Sequence, residues 1–163
     1  GRRVFKPDGT YQKIAAVERH KNTGKIGVGI VKGFGLRGGA IASSVSHDSH
    51  NLIVIGDNDH DMYLAVQELL RTQGGYTLVE NGQVFDTLPL PIMGLMSDAG
   101  YEKVNEKLAR MISKAHEMGI PEGFDPFITL SFMALPVIPE IRITPRGVYL
   151  TQEDRMIQSP FDR

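Results

Sequence analysis

The sequence predicts an α/β fold of the α+β type: one domain with a mixed, largely antiparallel sheet packed with two or three helices. Hairpin signals outnumber clean strand–helix–strand units, which favours antiparallel pairing. Two segments carry apolar residues at helical spacing along one face. The chain has 163 residues, a length that suits a single domain with its own core.

Short alternating or apolar runs predict the strands. After a polar linker or tail over residues 1–12, the first strand begins at Lys13 and ends before a turn at 21–24. Asn81-Gly82 is the strongest hairpin signal in the chain. The domain is expected to span 13–150, before a polar tail over 151–163. The other predicted strands cover residues 24–32, 40–45, 52–55, 76–80, 83–86 and 147–150.

Two amphipathic helices are predicted from apolar residues spaced three and four apart. The first has N-cap candidates at 57–59 and a stop at Gly74-Gly75, and the second ends near Gly119. Residues 127–135 are apolar, and their periodicity does not decide between a buried helix and a strand. The apolar faces contain Met62, Ala65, Val66, Leu69 and Leu70 in the first helix, and Val104, Leu108, Met111, Ile112 and Ala115 in the second.

The composition excludes several classes of protein. Eighteen basic and nineteen acidic residues leave a net charge of −1, which argues against a nucleic-acid or polybasic membrane surface. Without cysteine neither disulfides nor thiolate metal sites form, and no apolar run approaches the roughly 20 residues of a membrane span. We therefore expect a cytoplasmic protein. The chain does not begin with Met, and its polar start is typical of a fragment of a longer protein, with a free-standing relative as the alternative.

The most chemically dense stretch is the connection between the third and fourth predicted strands. His47, Asp48, Ser49, His50 and Asn51 follow one another there. Two imidazoles three residues apart on a turn are able to converge on one ligand or metal, with Asp48 orienting either ring. The alternative is a polar turn whose side chains cap backbone groups.

Two other segments carry candidate functional groups. Glu18, Arg19 and His20 bring a carboxylate, a guanidinium and an imidazole to the end of the first strand, suited to a polar ligand or a charged partner. The alternative is a solvated edge strand. Lys32 and Phe34 lie among glycines in a segment that either closes over a flat ring or is simply a flexible loop.

Familiar catalytic motifs fail on inspection. There is no GxxxxGK[ST] phosphate loop, and Gly27-Val28-Gly29 lacks the third glycine and the helix of a dinucleotide site. Without HxH or HExxH, no self-contained zinc hydrolase site is visible. Ser43 and Ser44 precede the histidines, but no GxSxG elbow surrounds them. The residues alone indicate an α/β domain with a polar, histidine-containing site.

Five segments in order closely resemble the C-terminal domain of bacterial-type adenine deaminase. The resemblance covers about residues 14–150, and its most specific block is SVSHDSHN at 44–51. The segments are AVERH (16–20), GIVKGFGL (29–36), GAIASSVSHDSHN (39–51), LPLPIMGLMS (88–97) and LSFMALPVIP (130–139).

The resemblance implies an amidohydrolase that converts adenine and water to hypoxanthine and ammonia in purine salvage and adenine catabolism. It implies that a (β/α)₈ barrel, absent from this chain, binds a divalent metal (manganese, iron or zinc) through ligands that include an HxH pair. In such an enzyme a metal-bound hydroxide attacks the ring carbon and a carboxylate shuttles protons. The implied partners are the barrel, adenine and further copies in a homo-oligomer.

Within this scheme the 46–51 turn is expected to reach the mouth of the barrel and help to enclose the base. His47, Asp48 and His50 are the candidate catalytic contributors, and His47 and His50 are also possible metal ligands, although no firm metal site is predicted. Two alternatives stay open: a structural or oligomerisation module, and an autonomous binder of metal or a small molecule. The candidate substrate-binding residues are Glu18, Arg19, His20, Phe34, Ser44 and Asn51.

Overall fold

A computed structural model describes residues 5–6 and 8–157 of the chain. This part folds into two antiparallel sheets and three helices. None of these helices is long and apolar enough to cross a membrane. The elements in chain order are β1 (Tyr11–Val17), β2 (Ile26–Lys32), β3 (Gly39–Ser43), β4 (Leu52–Gly56), α1 (Asp59–Arg71), β5 (Gly75–Glu80), β6 (Gln83–Pro89), α2 (Tyr101–Glu117), α3 (Pro126–Phe132), β7 (Ile141–Thr144), β8 (Gly147–Leu150) and β9 (Arg155–Ile157).

The main sheet has six strands in the order β2-β1-β4-β3-β5-β6, and every pairing in it is antiparallel. The central strands β3 and β4 are buried at every residue, as expected for short apolar runs covered on both faces. In β1 the alternation of the pleat directs Ile14 and Ala16 to one core and Ala15 to the other.

Two apolar cores lie on opposite faces of this sheet. The larger packs Ile41, Ile53 and Leu78 of the sheet against residues of α2, α3 and β7. On the other face α1 presents Met62, Ala65 and Leu69 to small residues of the sheet. Asn58 is the N-cap of α1, since its side chain accepts a hydrogen bond from the Asp61 amide.

The second sheet consists of β7, β8 and β9 and lies beside β1 and β2. It approaches β2 so closely that a Cβ at Gly27 would collide with the Thr144 carbonyl oxygen. Glycine is therefore required at this position because the two backbones nearly touch. The short strands β7 and β9 of this sheet are not predicted from the sequence. Pro139 and Pro145 flank β7 and indicate a break there, and β9 lies in the segment that is predicted to be a polar tail.

The fold class is confirmed: the described residues form one α+β domain with antiparallel pairing and three helices. The ambiguous stretch 127–135 is helical in its first part, since α3 begins at Pro126 with Asp125 as its N-cap. β1 begins at Tyr11, inside the predicted linker, and β9 lies inside the predicted tail. The remaining parts of those two segments, 1–4, 7 and 158–163, lie outside the described residues.

Candidate functional site

The candidate site is assembled at one end of the six-stranded sheet. Val17, the last residue of β1, pairs with Leu52, the first of β4, so residues 18–20 emerge beside the turn that joins β3 to β4. We call residues 46–51 the turn segment. β6 ends at the same end of the sheet, because Pro89 pairs with Gly75, and it continues into residues 90–97, which we call the loop segment.

Arg19 ties the turn segment to the loop segment. Its Nε donates to the carbonyl of His50 at 2.6 Å and its Nη2 donates to the carbonyl of Met93 at 2.7 Å. The Arg19 amide also donates to Oδ1 of the buried Asn51 at 3.3 Å. Partial burial lowers the pKa of Arg19, whose guanidinium remains a cation at neutral pH. One arginine therefore fixes three points of the site.

The loop segment is shaped to accept this arginine. Gly94 has φ +75°, and a Cβ there would collide with the Arg19 guanidinium. Ser44, fully buried, donates through Oγ to the Gly94 carbonyl at 2.6 Å and accepts from the Gly75 amide at 2.7 Å. The predicted substrate-binding Ser44 is thus engaged on both sides by main-chain groups.

Glu18 and His20 brace the neighbouring turn. The Glu18 carboxylate accepts hydrogen bonds from the amides of His20, Lys21 and Thr23 and from the Thr23 hydroxyl. These bonds, the Thr23 amide foremost, lower the pKa of Glu18 to about 2. Nε2 of His20 donates to the carbonyl of Ser49 at 2.6 Å, so this imidazole also holds the turn segment.

His47 lies on the outer side of the turn segment, against α3. Its ring stacks on Phe132 with centroids 5.0 Å apart and planes 23° apart, and its amide donates to the Ser131 carbonyl at 3.2 Å. Asp48 is largely exposed, with Oδ1 3.5 Å from Nδ1 of His47. The two side chains lie side by side, without a hydrogen bond of ordinary length between them.

His50 is half-buried, and its ring lies edge-on to His47 with centroids 5.9 Å apart. Burial is the main cause of the lowered pKa of His50, and the nearby His47 and Arg19 lower this pKa further. Asp48 acts in the opposite direction and raises it. The imidazole is accordingly neutral at neutral pH. Its Nδ1 and the Oγ of Ser46 are buried, and neither has a hydrogen-bond partner within the described residues.

The turn segment lines one small cavity of about 80 Å³. Ser46, Ser49 and Asn51 form one wall, and Thr144 and Pro145 lie among the residues across from them. Ligand-binding clefts typically measure about 300–1,000 Å³, so this cavity is too small to enclose a base by itself. A larger apolar groove of about 470 Å³ runs between the loop segment and α2, and none of the predicted site residues lines it.

The described residues do not assemble a metal site. Within them no group of three or more His, Asp or Glu side chains is placed to hold an ion. His47 is engaged in stacking on Phe132, and Nδ1 of His50 is buried. These side chains therefore do not fit a divalent metal as a resident ion.

One predicted site residue is placed elsewhere. Phe34 is only 2% exposed and packs in the larger core, with its ring centroid 5.7 Å from that of Phe124. The structure therefore does not bring it to the turn segment, because its loop is packed down onto the core. By contrast, Glu18, Arg19, His20, Ser44, His47, Asp48, His50 and Asn51 gather at one end of the sheet.

Sequence reasoning missed three contributors to this end of the molecule: Met93, Gly94 and Phe132. Met93 takes part through its backbone carbonyl, which leaves no signal in side-chain chemistry. Phe132 lies in an apolar segment that reads as core, although the ring is 41% exposed. All three lie in the 88–97 and 130–139 segments, which are part of the resemblance. That membership is the one signal in the sequence by which they could have been found.

Fold and site together define an α+β domain in which two histidines are displayed on a turn clamped by main-chain hydrogen bonds. The sequence profile described as the adenine deaminase C-terminal domain matches residues 1–155. The chain therefore belongs to the adenine deaminase C-terminal domain family.

Curated relatives carry the same name. A protein named adenine deaminase from Desulfitobacterium hafniense (strain Y51) is 58% identical over 154 residues, covering 94% of this chain and 27% of the relative. One from Nitratidesulfovibrio vulgaris (strain DP4) is 55% identical over 146 residues, covering 89% and 25%. One from Bacillus subtilis (strain 168) is 49% identical over 149 residues, covering 90% and 26%. The chain spans about a quarter of the length of these relatives.

Proposed function

We propose that the chain is the C-terminal domain of an adenine deaminase and contributes the turn segment to the enclosure of the substrate. The whole enzyme converts adenine and water to hypoxanthine and ammonia, in purine salvage and in the cytoplasm. The amidohydrolase barrel and its divalent metal (manganese, iron or zinc) lie outside this chain. The observation that carries the proposal is the clamp of Arg19 on the carbonyls of His50 and Met93.

The clamp supports this function because it preorganises polar groups at the surface. Binding groups held in place lose less conformational entropy when a ligand arrives. The neutral imidazole of His50 has one buried nitrogen, Nδ1, and is assigned to the base through Nε2, which donates or accepts one hydrogen bond according to the tautomer. The small volume of the adjoining cavity is consistent with half of a site, whose second wall comes from the rest of the enzyme.

In this scheme the domain binds and orients the base and excludes water, while the bond-breaking chemistry takes place in the barrel. Water adds to the ring carbon that carries the amino group, and the amine departs as ammonia once it has received a proton. His47 and His50 are assigned to contact with the base, and Asp48 to the orientation of His47. Glu18, Arg19, His20, Ser44 and Asn51 are assigned to holding that geometry.

The test is His50→Ala in the full-length enzyme that carries this domain, with His60→Ala as the matched control. His60 is an exposed histidine at the start of α1, beside the β5–β6 hairpin. We expect kcat/KM for adenine to fall about tenfold or more in His50→Ala, the loss of about one substrate hydrogen bond, and to stay unchanged in the control. If His50→Ala keeps the kcat and KM of the wild-type enzyme, as the control does, the turn segment takes no part in the reaction.

The second candidate function is a structural or oligomerisation module. It is favoured by the fact that the side chains of Arg19 and Ser44 bond to main-chain groups of this chain, as does the Glu18 carboxylate apart from its bond with the Thr23 hydroxyl. On that reading His50→Ala lowers the melting temperature or changes the oligomeric state by light scattering, with kcat intact. The isolated chain is expected to release no ammonia from adenine under either candidate.

A further inference from the structure

One face of the main sheet is only half covered. α1 packs on β3, β4, β5 and β6, which leaves β1 and β2 at the other end of the sheet. The register places Val17 opposite Ile26 and Ala15 opposite Val28, so these side chains share the face that α1 occupies farther along. Ile26 and Ile30 are 56% and 42% exposed.

The opposite face of β2 is closed, which leaves the exposed side chains no other place to pack. A Cβ at Gly29 would contact Val148 and Ile143 of the second sheet, on the side where Gly27 nearly touches that sheet's backbone. The burial of β2 alternates accordingly, with Gly27 and Gly29 buried and Ile26 and Ile30 exposed. A strand with one buried face normally carries polar side chains on its solvent-exposed face, so isoleucines there are atypical.

One side of α1 borders this exposed apolar area, and we call the surface between α1 and the strands β1 and β2 the valley. Lys13 of β1 forms an ion pair with Asp59 at the start of α1, which identifies the flank that faces β1. Val66 and Leu70 lie seven and eleven residues beyond Asp59, on the same flank, with Tyr63 at its outer edge. We define the valley by the side chains of Val17, Ile26, Val28, Ile30, Tyr63, Val66 and Leu70.

We propose that this valley receives an amphipathic helix from the part of the adenine deaminase polypeptide that lies outside this chain. In the relatives about three-quarters of the length lies outside the matched segment, so ample polypeptide is present to cover it. The proposal does not depend on any role of the turn segment in the reaction.

The charge at the rim of the valley favours a segment of the same polypeptide over a second copy of the chain. A symmetric dimer brings the same patch of each copy face to face, and with it the exposed Lys25 and Lys32 of both copies, whose like charges repel. A helix is a convex rod that packs at about 8–10 Å from a neighbouring helix. α1, with 13 residues, is about 20 Å long, enough to align with such a partner. Lys25 and Lys32 stand exposed at the two ends of β2, so acidic residues at the rim of the helix would complement the valley.

The test uses the absence of cysteine from this chain. Ile30→Cys and Ile26→Cys place single thiols in the valley. Val84→Cys is the matched control, because Val84 is also 42% exposed and lies on β6, the strand at the opposite edge of the sheet. Each variant is made in the isolated chain and in the Desulfitobacterium hafniense relative with its matching segment replaced by this chain. Alkylation by N-ethylmaleimide is followed by peptide mass spectrometry.

We expect alkylation at positions 26 and 30 to slow by about tenfold or more in the larger protein, because thiol reactivity requires access, with no such change at position 84. Equal rates at position 30 in both proteins overturn the proposal. Protection in the isolated chain that rises with its concentration assigns the valley to a second copy instead. Protection there at every concentration assigns it to the chain's own ends, and both results also overturn it.

A second variant keeps the proposal testable through stability. Ile30→Asp in the isolated chain replaces a side chain that is 42% exposed and is expected to lower the melting temperature only slightly, since aspartate is disfavoured in strands. In the larger protein it places a carboxylate beneath the docked helix, so the first unfolding transition is expected to shift to lower temperature by clearly more. Val84→Asp is expected to act alike in the two proteins. An Ile30→Asp shift that is equal in both would again contradict a docked helix.

Discussion

The hydroxyl of Ser44 joins the carbonyl of Gly94 at 2.6 Å, across fifty residues of sequence. The same oxygen accepts from the Gly75 amide, the first residue of β5. Ser44 thereby connects the end of β3, the start of β5 and the loop segment. Gly94 also contacts the Arg19 guanidinium, so this buried serine holds in place the loop residue against which the clamp on His50 packs.

Ser44→Ala is expected to destabilise the isolated chain. The change leaves the Gly75 amide and the Gly94 carbonyl buried without that partner, and each unsatisfied group costs roughly 1–3 kcal/mol. Urea unfolding followed by circular dichroism measures the loss. Ser113→Ala, an exposed site on α2, is the control and is expected to be neutral or slightly stabilising because alanine favours helices. Equal stability of Ser44→Ala and wild type would refute the buried bridge.

Arg19→Lys separates charge from geometry at the clamp. Lysine keeps the positive charge but lacks the planar fork that reaches two carbonyls at once. We expect a loss of roughly 1–3 kcal/mol in the free energy of unfolding, since hydrogen bonds from a charged donor are among the stronger ones. We also expect chemical-shift changes confined to the turn and loop segments in amide NMR spectra.

The control for that variant is Arg146→Lys. Arg146 is exposed in the turn between β7 and β8, and this substitution is expected to change the free energy of unfolding by less than about 0.5 kcal/mol. If Arg19→Lys is as mild as Arg146→Lys, the two carbonyls are satisfied without the fork and the clamp is not the support of the turn segment.

Much of the fold follows from local pattern. The Asn81-Gly82 hairpin, the buried strand at 52–55 and the two amphipathic helices are each encoded by neighbouring residues, so they are readable one segment at a time. β7 and β9 are not, because strands of four and three residues offer too few positions for alternation. β7 and β8 pack against β2, a contact between distant parts of the chain that no local pattern records.

In the candidate site too, the residues that are adjacent in sequence were predictable and the contacts made by tertiary packing were not. His47, Asp48, His50 and Asn51 stand together in sequence and stay together in space. The clamp of Arg19 is invisible beforehand because its acceptors are carbonyls, which every residue possesses. Phe34 illustrates the reverse error, since a phenylalanine between glycines resembles an exposed lid until packing against Phe124 fixes it in the core.

Glu18→Gln is expected to change how stability depends on pH. In the native state the carboxylate has a pKa of about 2, against an ordinary value of 4.5. A lowered carboxyl pKa stabilises the native state fully above about pH 4.5, and this contribution disappears as pH falls toward 2. The variant lacks it, so its urea midpoint lies below that of wild type at pH 7, and the two converge toward pH 2.

Glu122→Gln is the control for the acid series, because Glu122 is exposed and lies in the turn region before α3. Its urea midpoint is expected to follow wild type at every pH. A constant difference between Glu18→Gln and wild type from pH 7 to pH 2 would mean that the carboxylate acts through packing and not through its charge.

Phe132→Ala tests the support of His47. Removing the aromatic ring deletes the stacked partner at 5.0 Å, an interaction worth about 0.5–1.5 kcal/mol beyond area burial. We expect a modest fall in stability together with a downfield shift of the His47 ring protons, since the shielding by the neighbouring ring current is lost. Ile128→Ala, on the same helix and 55% exposed, is expected to leave those protons in place. If the His47 resonances stay unmoved in Phe132→Ala as well, the imidazole does not stack on α3 in solution. The orientation of the outer histidine would then have to come from Asp48 alone, which an Asp48→Asn variant measured by the same ring protons would reveal.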